Sequence, residues 1–377
     1  MRTTLAALFV AATALLATPH VLARAFAPDP DQWLTALTAP WSAPGEAASF
    51  TQQRDLNPEY DLMARTFTVL ALADRALATP EEATAHLAAM DAILTDTLAR
   101  TEDRGHAHWL LPYAGARPWR GDGSSLFVDG ELLVMLGARR MVRDDRDDWR
   151  AAFGRQADRV VARFGAAGPL ALAESYPDEG WTFCHSVALL GLRMEEVLDG
   201  ADHSATREAF LDVARGPLTD PETGLLISSF SMDGRPADGP EGSTLWLSAI
   251  ALQVSDPRLA RAQYVRARAA LGRDLLGLGY AREWPEGAQG RADVDSGPIV
   301  PLLDASASSS GLALAAAKAF DDPTWHRQLT GALGAAEALL AVHPVLAQSA
   351  DTPVGRAVLV WGLGFGPLFD ALGAPVG

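Results

Sequence analysis

Helices that are apolar on every side alternate along this chain with helices that carry one apolar stripe, and that alternation limits the accessible folds more than any other feature. Asn57-Pro58 opens an apolar helix that runs through Ala78. Pro80 ends it, and Glu81-Glu82 open a charged helix to about Arg100, with the acids at the positive end of the helix dipole. The pairing recurs: Ser124 to Val142 is apolar and Asp147 to Phe164 charged, then Glu179 to Leu198 and Ser204 to Arg215 repeat the contrast. Glu241 to Val254 precedes Pro257 to Leu275, and Ser306 to Phe320 precedes Pro323 to Val342. Pro353 to Leu372 is apolar again, and the early stretch Asp29 to Leu37 is a suitable partner for it. A helix apolar all round is buried, whereas a one-stripe helix covers it from outside. Six such pairs predict an all-α (α/α)6 toroid, an inner ring of six helices within an outer ring of six. No sharp sequence repeat accompanies the pattern, so an irregular α-superhelix is the alternative.

Three long interruptions break the helical run: Arg104 to Asp122, Thr219 to Glu241 and Leu278 to Ser306. The middle one contains "GLLISSFSMDGR", which alternates about Asp233-Gly234 and predicts a small β-hairpin. Long loops between helices are often functional, and these are expected at the mouth of the barrel.

The first residues, "MRTTLAALFVAATALLA", carry one Arg and an apolar run, and Val21-Leu22-Ala23 follows as a small-residue cleavage pattern. They read as a secretory signal over residues 1–23, which implies a periplasmic or secreted protein whose toroid spans residues 24–377. The run is short of the roughly 20 apolar residues of a membrane span, and no later segment supplies one. Lys and Arg number 31 against 47 Asp and Glu, a net charge of −16. Such a surface repels nucleic acid and anionic lipid and suits a neutral or cationic small molecule. Assembly of like chains into a homo-oligomer is compatible with this composition. Cys184 is the one cysteine, so neither an internal disulfide nor a cysteine-rich metal site can form.

No Gly-rich phosphate loop, zinc spacing or Gly-x-Ser-x-Gly elbow occurs, and no cofactor or metal is assigned. Acids gather instead near the starts of the expected inner helices: Glu59 and Asp61, Asp129 and Glu131, Glu174, Asp178 and Glu179, Asp238 and Glu241, Asp293 and Asp295. Acids there serve as helix caps by default. Inner helices of a toroid converge, however, so carboxyls in different environments can meet there and divide acid and base roles. Glu131 lies within "LFVDGELLVMLGARRMV", where an exposed face is hard to draw and an unpaired charge costs several kcal/mol. Asp61 resembles it but has Arg65 one turn on, so a structural ion pair competes with a catalytic role.

The stretch "ESYPDEGWTFCHSVALLGLR" sets Glu174, Asp178 and Glu179 before Trp181 and Cys184. Nearby acids and apolar burial raise a thiol pKa, so Cys184 is expected to be a neutral thiol. A later loop adds Tyr280, Glu283, Trp284, Asp293 and Asp295. Its aromatics, with Trp181, suit a pocket wall for a sugar face or a hydrocarbon.

Three segments together resemble the linalool dehydratase/isomerase family: "NPEYDLMARTFTVLALA", "SSLFVDGELLVMLGARRMV" and "ESYPDEGWTFCHSVALLGLR". The resemblance covers roughly residues 55 to 200. It implies an exported (α/α)6 enzyme that dehydrates or rearranges an alcohol without a cofactor, with Cys184 at one of the family's two cysteines. Ser175 stands at the other cysteine, Glu131 at a histidine and Phe67 at a tyrosine. The resemblance thus implies a related pocket that runs on carboxylates. Three functions follow as expectations. The first is lyase or isomerase chemistry on a small neutral substrate, with Glu131 as acid or base, Asp61, Glu174 or Asp178 as partner, and Cys184. Phe67, Ser175, Trp181, Tyr280, Trp284 and Asp295 would contact the substrate. The second is a glycoside hydrolase or sugar epimerase that uses two carboxylates across a Trp-lined cleft. The third is a binding protein that has lost its chemistry.

Overall fold

The structure, a computed structural model, describes residues 20–21, 23–42, 48–166, 170–288, 299–300, 302–342 and 352–374. Two short helices, α1 (Pro30–Thr38) and α2 (Ala48–Leu56), come first. Inner and outer helices then follow in pairs: α3 (Pro58–Ala78) with α4 (Ala83–Arg104), and α5 (Leu126–Val142) with α6 (Asp147–Ala166). Next come α7 (Thr182–Asp199) with α8 (Ser204–Arg215), α9 (Gly242–Leu252) with α10 (Pro257–Leu271), and α11 (Ala307–Ala319) with α12 (Pro323–Val342). The chain ends on α13 (Pro353–Gly364) and the short α14 (Pro367–Ala371). Each inner helix packs on the next, and α13 packs back on α3, so the ring closes. α1 covers α13 from outside, which completes the outer ring from the start of the chain.

The sequence contrast between the two kinds of helix becomes a contrast in burial. In α9 every residue from Thr244 to Leu252 is buried. Its partner α10 buries Ala260, Gln263, Tyr264, Ala267 and Leu271, a stripe at three- and four-residue steps. The inner helices α5 and α7 touch through glycines. A Cβ on Gly137 would lie 2.5 Å from Met194 Sδ, and one on Gly191 would lie 2.6 Å from Leu133 Cγ. Any larger residue at either point would push the two helices apart.

The strands all lie in the long connections. β1 (Glu179–Trp181), β2 (Ser229–Ser231) and β3 (Pro236–Asp238) form an antiparallel sheet in that order. β4 (Gly272–Leu275) pairs with β5 (Leu278–Ala281), and β6 (Ile299–Val300) pairs with β7 (Ala305–Ser306). The β2–β3 hairpin is the one expected about Asp233-Gly234. Glu179–Trp181 is a strand rather than the start of a helix, because β2 supplies its backbone partners. The helix expected through Leu275 ends at Leu271, and Gly272–Leu275 pairs with β5 instead. The last apolar helix breaks at Phe365-Gly366, where Gly366 takes φ 143°.

The two ends of the inner ring differ in charge. Near the C-terminal end of α5, Arg139 binds Asp91 at 2.7 Å and Asp145 at 2.8 Å, while Arg140 binds Asp199 at 2.6 Å and Asp144 at 3.0 Å. Every buried charge named there is matched. The N-terminal ends carry the long connections and the carboxyls described next. Among the described residues no helix is long and apolar enough to cross a membrane.

Candidate active site at the mouth of the toroid

The three-stranded sheet aims its polar side chains one way. Glu179 pairs with Ser231, and Trp181 pairs with Ser229, which in turn pairs with Asp238. Residues opposite one another share a face, so Glu179, Trp181, Ser229, Ser231 and Asp238 lie on one side. The other side carries Gly180 and the buried Phe230, and a Cβ on Gly180 would sit 2.5 Å from the Phe230 ring. On the polar face, Glu179 Oε1 accepts from Trp181 Nε1 at 2.5 Å and from the Tyr113 hydroxyl at 3.2 Å. Asp238 Oδ2 accepts from Ser229 Oγ at 2.5 Å. Burial pushes the Glu179 carboxyl above the usual range, and the Asp238 charge adds to that effect.

Glu241 and Glu283 sit beside this face. Glu241 is the N-cap residue of α9, yet its side chain caps nothing. Glu283, which follows β5, takes that role: its Oε1 accepts from Ser243 N at 2.9 Å and Ser243 Oγ at 2.7 Å. Glu283 Oε2 accepts from Ser306 Oγ at 2.5 Å, at the start of α11. The Glu241 carboxyl is left beside Ser228 and Trp284, and burial together with the charges of Glu283 and Asp238 pushes it up to about 8. Ser228 Oγ and Trp284 Nε1 are both sealed from solvent, and both act on the Glu241 carboxyl as donors that partly oppose its rise.

A second set of groups flanks Cys184. The Tyr176 hydroxyl donates to Glu59 Oε1 and accepts from Leu111 N at 3.0 Å. Tyr113 stacks on Tyr176 with centroids 4.4 Å apart, and Tyr113 is 42% exposed. The Cys184 thiol is pushed well up by burial, and Glu59, Glu131 and Glu179 all add to that, so it is a neutral thiol beside Ser175. Deeper in the ring, Glu131 and Phe67 line a small cavity with Thr66, Val187, Leu247 and Trp361. It leaves about 10 Å³ for the centre of a water-sized sphere, room for a single water. Burial pushes the Glu131 carboxyl up to about 7.

Three of the expected acids are engaged elsewhere. Asp61 Oδ1 binds Arg65 Nε at 2.7 Å, and Arg65 also reaches Asp96 at 2.6 Å on the outer helix α4. Glu174 organises the loop, accepting from Arg120 N at 2.8 Å and Asp178 N at 2.7 Å. Asp178 pairs with Arg120 and turns the corner after Pro177 at φ 59°. Arg65 is 1% exposed between Trp41 and Trp109, so Arg65→Ala strands the Asp61 carboxylate. It is expected to cost about 3–5 kcal/mol, read as a lower midpoint in urea unfolding. A loss under 1 kcal/mol would contradict the buried-pair account.

Of the remaining expected contacts, Trp181 lies on the polar sheet face, Trp284 lies beside Glu241, and Ser175 is buried beside Cys184. Tyr280 lies opposite Arg273 on the β4–β5 hairpin, on the face turned away from α12, because Gly279 and Ala281 occupy the inner face. Asp295 and Asp293 lie outside the described residues. The sequence singles out Glu59, Glu179, Asp238 and Glu241 only as members of an acidic set and Glu283 only as part of a loop, and it gives no sign of Tyr113 or Tyr176. The two-residue spacing of Glu179 and Trp181 was the available signal for a shared strand face.

No family model matches the chain. Among solved structures, the unsaturated glucuronyl hydrolase of Bacillus sp. GL1, responsible for the degradation of glycosaminoglycan, is similar over 79% of this chain and 84% of that one. The TM-score is 0.51 and the sequence identity 13%, a likeness of fold, and that fold is an (α/α)6 toroid.

Proposed function

We propose that the chain is a hydrolase that cleaves the C–O bond of a glycoside at the mouth of the toroid. The observation that carries this reading is the Glu241 carboxyl, free of capping duty and held at about 8 among other mouth carboxyls and tryptophans. A carboxyl of that kind keeps its proton at neutral pH and can give it to a leaving oxygen. Asp238 or Glu179 on the sheet face is the second carboxylate. It either draws a proton from water as the water attacks the anomeric carbon, or attacks that carbon itself before water releases the sugar. Trp181, Trp284 and the exposed Tyr113 offer aromatic surface to the apolar faces of sugar rings. An enzyme that removes an unsaturated glucuronyl group uses the same type of fold. The net charge of −16 favours a neutral glycoside here over a uronate. The test is to incubate the protein with neutral aryl glycosides and oligosaccharides and measure released sugar. Inactivity across the whole neutral panel would overturn the reading.

A second reading rests on Cys184, a neutral thiol in range of Glu59, Glu131 and Glu179 where mouth and cavity meet. It is lyase or isomerase chemistry on a small neutral alcohol, as in the linalool dehydratase/isomerase family, by an exported protein. Alkene formed from a tertiary alcohol, and lost in Cys184→Ala, would favour it. The cavity beside Glu131 is too small for a terpene unless the ring opens.

A further inference from the structure

Glu241 occupies the N-cap of α9 without capping it, and an acid in that place would ordinarily accept from the backbone N–H two or three residues on. Glu283 has taken that N–H, since its Oε1 accepts from Ser243 N at 2.9 Å as well as from Ser243 Oγ. Its other oxygen accepts from Ser306 Oγ at 2.5 Å and Ser308 Oγ at 3.5 Å. The Glu283 carbonyl accepts from Gly242 N at 2.7 Å, so one residue ties the starts of α9 and α11 together. We propose that Glu283 is the positioning residue of the mouth: it takes the helix end in place of the Glu241 carboxyl and leaves that carboxyl for the reaction. This rests on the reading of Glu241 as the proton donor.

The two carboxyls have different surroundings. Ser243, Ser306 and Ser308 all donate to Glu283, an arrangement that fits a carboxylate, which accepts only. Burial raises Glu283, which is 1% exposed, but these donors oppose it. Ser228 and Trp284 donate to Glu241 too, but the strongest charges acting on it, Glu283 and Asp238, are both negative. Glu179 lies on the same sheet face as Asp238 and is raised further by its charge. Burial raises both carboxyls, and what separates them is geometry: Glu283 holds the end of α9 and Glu241 does not. Ser243 gives both its backbone N–H and its hydroxyl to Glu283, the groups that would otherwise be available to Glu241.

The test reads the Glu241 proton directly, without turnover. Carbon-13 spectra of glutamate-labelled protein are followed against pH, and the signal that disappears in Glu241→Gln is assigned to Glu241. In the intact protein it should titrate well above the carboxylate range. In Glu283→Gln it should fall by at least about one pH unit. Ser306→Ala removes one donor from Glu283 and no charge, and should lower it by less, which covers a Glu283 variant that fails to fold. A Glu241 signal unmoved in both variants would overturn the proposal, as would one that titrates near 4 in the intact protein. A shift in the expected direction without any glycoside cleavage would uphold the role of Glu283 and refute the glycosidase reading.

Discussion

Glu241→Gln is expected to slow hydrolysis of a glycoside with a poor leaving group by about 10²- to 10⁴-fold, the usual contribution of a positioned proton donor. The amide keeps the shape of the side chain and loses only the transferable proton. Because Glu241 caps nothing, the start of α9 stays anchored by Glu283, and the fold should be retained. Leaving groups then separate the effects. An alkyl leaving oxygen needs the proton as the bond breaks, whereas a nitrophenolate departs nearly unaided. The variant should therefore lose most of its rate on alkyl glycosides and much less on nitrophenyl glycosides. Rates measured on both series, with a thermal melt as a control for folding, decide the matter. Equal losses on both, or no loss on either, would remove Glu241 from the role of acid.

Glu241 was visible in the sequence only as one acid among many, and the reason is physical. Helix periodicity reports which side of a helix is covered, so the alternation of all-apolar and striped helices gave the toroid, its closure through α1 and most helix limits. Asp61 and Arg65 are four residues apart on one helix, so their pairing was legible as well. What distinguishes Glu241 is that Glu283, 40 residues beyond Ser243 in a connection with no period to read, accepts the cap hydrogen bond in its place. Glu179 and Trp181 share a face because β2 lies beside them, and local pattern favoured a helix there. Glu131 drew attention as an acid in an apolar helix. It does lie buried, but in a cavity the size of one water, while the larger group of carboxyls sits at the mouth. The Cys184 thiol bridges the two levels, and its expected neutral state agrees with the acids around it.

Buried carboxyls should make the protein more stable near pH 5 than near pH 8, outweighing the opposite effect of His185 and His108, which burial holds at about 4. Glu131 is held at about 7 and Asp74 at about 7, both by burial, and Glu241 at about 8. In the unfolded chain these groups release their protons near 4.5 for Glu and 3.8 for Asp. Between those values and their folded ones the native protein holds protons that the unfolded chain has lost. Stability must therefore fall as pH rises through that window and level off above about 8. For Glu131 alone the difference corresponds to roughly 3 kcal/mol. Asp74 belongs to a different part of the fold, where it accepts from Leu368 N at 2.8 Å at the start of α14, so the effect is not confined to the mouth. At low pH the sign reverses. Asp144, held at about 2 by Arg140, supports the fold only while ionised, and that contribution is lost as pH falls through its folded value. Urea midpoints measured from pH 4 to pH 9 should accordingly peak at mildly acidic pH. Glu131→Gln, which cannot ionise, should narrow the gap between pH 5 and pH 8 by up to its own share. A protein more stable at pH 8 than at pH 5 would mean that water or structural relaxation lets these carboxyls ionise freely in the native state.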